Sequence, residues 1–224
     1  MDTIESSQLE KLLEDISSIK SVINKNKPLL QQVLNPVHFR LFTLLAAISI
    51  IGFALVIYFL MLQYGSFSSI PSTIRYIIFA AMAADWFFMQ YLKRRTFLKT
   101  GKRIDPTFTI RRLLKEFFTY RIAHVYVPMT LLIIFLTVYF VYKNIPYYIV
   151  PACSIGIGLL YNFIGSFTEI RQYLILGYWF LITGAGVLMF NTIPAPISLS
   201  LTLGCGLLIF SALGYFAARP AKED

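Results

Sequence analysis

The chain has 224 residues, 57% of them hydrophobic and 14% charged, with a formal net charge of +9. A soluble domain is about 45–50% apolar and about 25% charged, so this composition excludes an ordinary soluble fold and makes lipid the main solvent. A basic excess points to nucleic acid on a soluble domain, but here the bases flank apolar runs, which the positive-inside rule explains without nucleic acid.

Residues 1–40 read as a polar, helical segment with no apolar core near the start, so no cleavable signal peptide is expected. Leu9, Leu12, Ile16, Ile19 and Ile23 recur at steps of three and four, the spacing of a helical seam. Asn24 to Pro28 interrupts the pattern, and Asn35-Pro36 breaks the chain before the first apolar run. With only about two heptads, this amphipathic helix suits the membrane surface, the protein's own loops, a second copy or a partner protein.

Six apolar runs follow, at about 41–62, 76–92, 122–142, 147–167, 173–190 and 197–218. Each has roughly the 17–25 residues needed to cross about 30 Å of hydrocarbon. Only helices suit them, because lipid cannot satisfy exposed backbone groups. The expected fold is therefore all-α: a polytopic membrane protein with six transmembrane helices over 41–218, a cytoplasmic N-terminal helix, a basic linker at 93–121 and a short tail at 219–224. In that arrangement 18 of the 20 Lys and Arg fall on one side, and only Arg75 and Lys143 on the other. Both termini are expected in the cytoplasm, and the plasma (inner) membrane is the expected location.

Within the linker, Asp105-Pro106-Thr107 reads as a helix start. Beyond it Ile110, Leu113, Leu114, Phe117 and Phe118 line one helical side, while Arg111, Arg112, Lys115 and Glu116 occupy another. This is the pattern of a basic interfacial helix. Together with Lys93, Arg94 and Arg95 it is expected to meet anionic lipid headgroups, either as a topology signal or as a specific docking site.

The later runs are rich in glycine. Gly156-Ile157-Gly158-Leu159-Leu160 in the fourth resembles Gly204-Cys205-Gly206-Leu207-Leu208 in the sixth, and the fifth adds Gly177, Gly184 and Gly186. Glycine lets membrane helices approach closely, so runs four to six are expected to pack tightly and the bulkier first three less so.

Few residues could carry chemistry. Asp85 is the only acid well inside a run, and a carboxylate there is costly, which makes it a candidate for proton or cation handling or for a structural contact. Asn162, Glu169 and Arg171 complete the candidate polar site, at the end of the fourth run and the turn after it. His38 and His124 sit near the same membrane face but carry no recognised haem-ligand spacing. Cys153 and Cys205 lie at similar depths and are expected to be inert neighbouring thiols, with no disulfide framework or CxxC metal site. No HExxH, GxSxG, Walker A or aspartate-rich diphosphate motif is present. The expected function is a non-enzymatic scaffold, regulatory or signal-responsive membrane component that acts through association. A small-solute or ion transporter using Asp85 is the alternative, followed by a lipid-modifying enzyme. The expected partners are the bilayer, anionic headgroups and a second copy or membrane protein, without metal, cofactor or nucleic acid.

Burying one apolar side chain of the N-terminal stripe is worth about 1.5–3 kcal/mol. Replacing Leu12 and Ile19 together by Ser should leave membrane insertion intact and weaken oligomer or partner recovery in mild detergent. Recovery equal to wild type would remove the association role of this helix.

Overall fold

The computed structural model describes residues 32–111, 114, 115, 122–190 and 193–217. The N-terminal stripe from Leu9 to Ile23, the linker residues Arg112, Leu113 and 116–121, and the tail lie outside the described residues.

Every element is helical among the described residues. Helix α1 (Pro36–Tyr64) starts where Asn35 accepts the Val37 N–H on its side chain and Pro36 supplies a preset φ, and it stops at Gly65 with φ 81°. Helix α2 (Ser72–Ile104) follows Pro71. Helix α3 (Ile122–Tyr142) carries Pro128 inside it. A short 3-10 turn, Pro146–Tyr148, leads into α4 (Ile149–Thr168). Helix α5 (Arg171–Met189) begins after Glu169, which takes a left-handed φ of 56° to reverse the chain. Helix α6 (Ala195–Ala217) contains one π-helical turn at Ser200–Gly204.

Five of these helices, α1 and α3 to α6, are long and apolar enough to cross a membrane. Helix α2 is long enough but falls outside that set, because Asp85 and Gln90 interrupt its apolar run and basic residues follow Leu92. It also continues well past the expected end at Leu92. Lys and Arg are good helix formers, so the basic cluster prolongs the helix until Asp105-Pro106 stops it. At 33 residues α2 is about 50 Å long. Asp105 makes a tight turn ahead of the expected linker helix, whose described residues Ile110, Arg111, Leu114 and Lys115 are helical: Asp105 Oδ1 accepts from Thr107 N at 2.8 Å and from Thr107 Oγ1 at 2.7 Å. Phe108 then folds back, buried, beneath Gly101, where its ring fills the space a Cβ would need.

The closest pairings run α2–α1–α6–α5–α4–α3, so the bundle is an arc with α5 and α6 at its centre. Helix α5 buries Tyr173, Leu176, Gly177, Phe180, Gly184 and Val187 in one continuous stripe. The α4–α5 pair is closely packed, as the glycines foretell. A Cβ on Gly158 would lie 2.8 Å from the Gly177 carbonyl oxygen, and one on Gly165 2.8 Å from Leu174 N. The expected grouping of the last three spans is modified on one side. The main partner of α6 is α1, whose small residues Thr43, Ala47 and Ala54 form a buried line. Helices α2 and α3 stand at the ends of the arc and show large apolar side chains outward, among them Tyr76, Phe87, Phe135 and Val138.

Gly177 faces the Asn162 side chain, and a Cβ there would also sit 2.8 Å from Asn162 N. Gly177→Ala should therefore lower stability in detergent by about 1–3 kcal/mol. Gly186, with open space beside it, should accept Ala with a gain of up to about 0.5–1 kcal/mol. Thermal unfolding of both variants measures the contrast, and equal midpoints would contradict the close α4–α5 contact.

Candidate functional site

The expected polar residues do not converge on one site. Asp85, midway along α2, is half-buried against α1, where Ser49 Oγ donates to its Oδ1 at 2.7 Å. Its register follows from α2 running antiparallel beside α1. Phe97 meets Phe39 at one end with ring centroids 4.7 Å apart, and Phe79 meets Phe67 at the other at 6.0 Å.

Asn162 belongs to a different contact. Gly158, Asn162 and Gly165 share the face of α4 that meets α5, and Gly177 leaves the room Asn162 occupies. Its Oδ1 is buried there without a hydrogen-bond partner. Glu169 and Arg171 are exposed in the turn between α4 and α5, where Glu169 serves the chain reversal through its backbone. Lys93, Arg94, Arg95, Arg111 and Lys115 are exposed. His38 and His124 are exposed as well. Cys153 lies 3.5 Å from Thr137 Oγ1 of α3, and both cysteines are free thiols. Among the described residues no three His, Cys, Asp or Glu side chains gather as a metal site.

What the fold does gather is a cavity of about 670 Å³ inside the arc, toward the end that carries the basic residues. Its walls include Phe39 and Thr43 of α1, Lys93 and Phe97 of α2, Tyr126 of α3, Tyr161 and Thr168 of α4, Tyr173 of α5 and Phe210 of α6. Most of its polar wall groups are turned to the protein. Thr43 Oγ1 donates to the Phe39 carbonyl at 3.0 Å, Thr168 Oγ1 to Ile164 at 2.7 Å and Tyr173 OH to Leu34 at 2.7 Å. The cavity is invisible in the sequence, since α4 supplies much of its wall and the remainder is scattered over the other helices. Only the tyrosines placed inside apolar runs, Tyr161 and Tyr173, hint at it.

Further side chains that carry no sequence motif tie the helices together. Ser154 Oγ donates to the Phe180 carbonyl at 2.9 Å, and Ser211 Oγ to the Arg40 carbonyl at 2.7 Å. Trp179 Nε1 donates to the carbonyls of Leu201 and Thr202, at 3.3 and 3.1 Å, in the π-helical turn. The Thr202 carbonyl also accepts the Cys205 backbone N–H, so the indole N–H shares it with the helix.

No protein-family model, curated protein or solved structure matches the chain.

The Ser49–Asp85 bond has a measurable size. Ser49→Ala leaves the carboxylate without this donor and should cost about 1–3 kcal/mol. Asp85→Asn keeps an oxygen acceptor for Ser49 and should preserve folding to within about 1 kcal/mol. A double-mutant cycle of Ser49→Ala with Asp85→Ala in detergent should give a coupling of about 0.5–3 kcal/mol; a coupling of zero would show that the contact contributes nothing.

Proposed function

We propose that the chain is a six-span membrane protein with both termini on the cytoplasmic side, and that it acts without catalysis, through association, as a scaffold or regulatory membrane component. The sixth crossing is α2. Its antiparallel contacts with α1, Phe39–Phe97 and Ser49–Asp85, and with Phe67 of the loop after α1, through Phe79, run beside a helix long and apolar enough to span. The outward aromatics Tyr76, Phe79, Trp86, Phe87, Phe88 and Tyr91 support it, because lipid is the solvent that suits such a surface. With α2 included, the basic segments fall on one face.

The observation that carries the association reading is where the intramembrane polar groups point. Ser49, Ser154, Trp179 and Ser211 each bond across a helix pair. Such bonds hold membrane helices together, whereas a transported solute needs polar groups turned to a common passage at mid-membrane. The half-buried Asp85 carboxylate favours cation or proton transport as the second reading. Asp85→Asn separates the two, because it should abolish transport and leave a scaffold working.

Two measurements test the proposal. Reporter fusions after Ser69 and Ile193 should be external, and fusions after Lys102 and Asp224 internal; an external Lys102 fusion would refute the topology. The protein extracted in mild detergent should carry a stoichiometric partner protein or form a defined oligomer. A lone monomer that moves ions across reconstituted vesicles would replace association by transport.

A further inference from the structure

We propose that the cavity inside the arc is a binding site for one hydrocarbon chain bearing an anionic head, with Lys93 as its cation. The volume of about 670 Å³ lies within the about 300–1,000 Å³ of small-molecule sites. The wall is mostly apolar, with Leu34, Phe42, Ile157, Leu160, Ile164 and Phe167 surrounding the space. Such a lining suits an alkyl chain and disfavours a hydrated solute, which would lose water without regaining hydrogen bonds.

The polar features sit where an amphiphile needs them. Thr43, Thr168 and Tyr173 donate to protein carbonyls, which leaves Lys93 as the wall group with a full charge. Lys93 begins the basic cluster that prolongs α2, so its ammonium stands at the boundary between the apolar wall and the basic face. A long lysine side chain there can reach both an apolar chamber and headgroup water. An anionic head at that boundary would be held by a charge-assisted hydrogen bond. The two ends of the arc, α2 and α3, contribute Lys93, Phe97 and Tyr126 to the same wall, together with Leu114 of the linker.

The head could be the phosphate of a phospholipid or the carboxylate of a free fatty acid; the chemistry at Lys93 is shared. The site uses the membrane placement proposed above but not its orientation, so the reporter fusions and the binding test can fail separately.

The test uses the full chain in phosphatidylcholine nanodiscs with diazirine-tagged probes: palmitic acid, phosphatidylglycerol and phosphatidylcholine. Cross-linked peptides are mapped by mass spectrometry. An anionic probe should label the wall peptides around Phe97 and from Ile157 to Thr168 about tenfold more than the phosphatidylcholine probe. Labelling by palmitic acid alone assigns a carboxylate head, and by phosphatidylglycerol alone a phospholipid head. Lys93→Gln should reduce anionic labelling to the phosphatidylcholine level, while Lys99→Gln, on the same helix and outside the cavity wall, should leave it unchanged. Equal labelling by anionic and zwitterionic probes, or no label on the wall peptides, would overturn the proposal. Should Lys93→Gln fail to fold, the comparison of probes on the wild-type chain still decides.

Discussion

The close approach of α5 to its neighbours is the contact on which the rest of the bundle depends. Lipid is as apolar as leucine, so apolar surface alone gives membrane helices no reason to associate. Dispersion between closely fitted backbones and hydrogen bonds between helices must do it. Both concentrate on α5. Gly158 and Gly165 of α4 let the two backbones meet at Gly177 and Leu174, and Ser154 adds a hydrogen bond to the Phe180 carbonyl. On its other side Phe180 and Trp179 press against Gly206, and Trp179 binds the π-helical turn of α6. Helix α1 then attaches to α6, α3 to α4 and α2 to α1.

This arrangement explains the resemblance between the two glycine pentapeptides. In each, the first glycine admits an isoleucine of an outer helix: Ile133 of α3 against Gly156, and Ile51 of α1 against Gly204. In each, the second glycine faces α5, through Gly177 and Leu181 at Gly158 and through Phe180 and Trp179 at Gly206. The same five-residue solution serves two helices that flank one centre and receive one outer helix each. Shared packing demands account for the likeness without a duplicated ancestor.

Helix limits are legible where lipid imposes a length and where Asn35-Pro36 and the Glu169 turn punctuate the chain. The glycines likewise announced the α4–α5 pair. The pairing of α1 with α6 was not announced. Its signal is the line of Thr43, Ala47 and Ala54, and threonine and alanine are so common in apolar runs that their spacing stands out only once a partner is known. Charge conceals the length of α2, because it ends the apolar run and leaves the helix free to continue. Asp85 was recognisable as a polar group needing company, but its partner Ser49 lies 36 residues away and a lone serine carries no periodicity. The cavity is the least legible feature, since it exists between elements and belongs to none.

Helix α2 shows how one segment can satisfy conflicting demands. A lone charge facing hydrocarbon would cost about 2.5–3.5 kcal/mol on insertion scales, and Asp85, with Gln90 and the flanking bases, makes α2 less apolar than the other five long helices. Ser49 moderates that cost by turning the carboxylate to α1, which in turn fixes which face of α2 looks inward. With Asp85 set against α1, Lys93 lies eight residues further along the helix, about 12 Å by the helical rise. Eight residues are a little over two turns, so Lys93 returns close to the same face and meets the cavity instead of lipid. The polar contact at mid-helix and the cation at the cavity wall are thus coupled by helical geometry. Rotating α2 to release Asp85 would also turn Lys93 away from the space between the two ends of the arc.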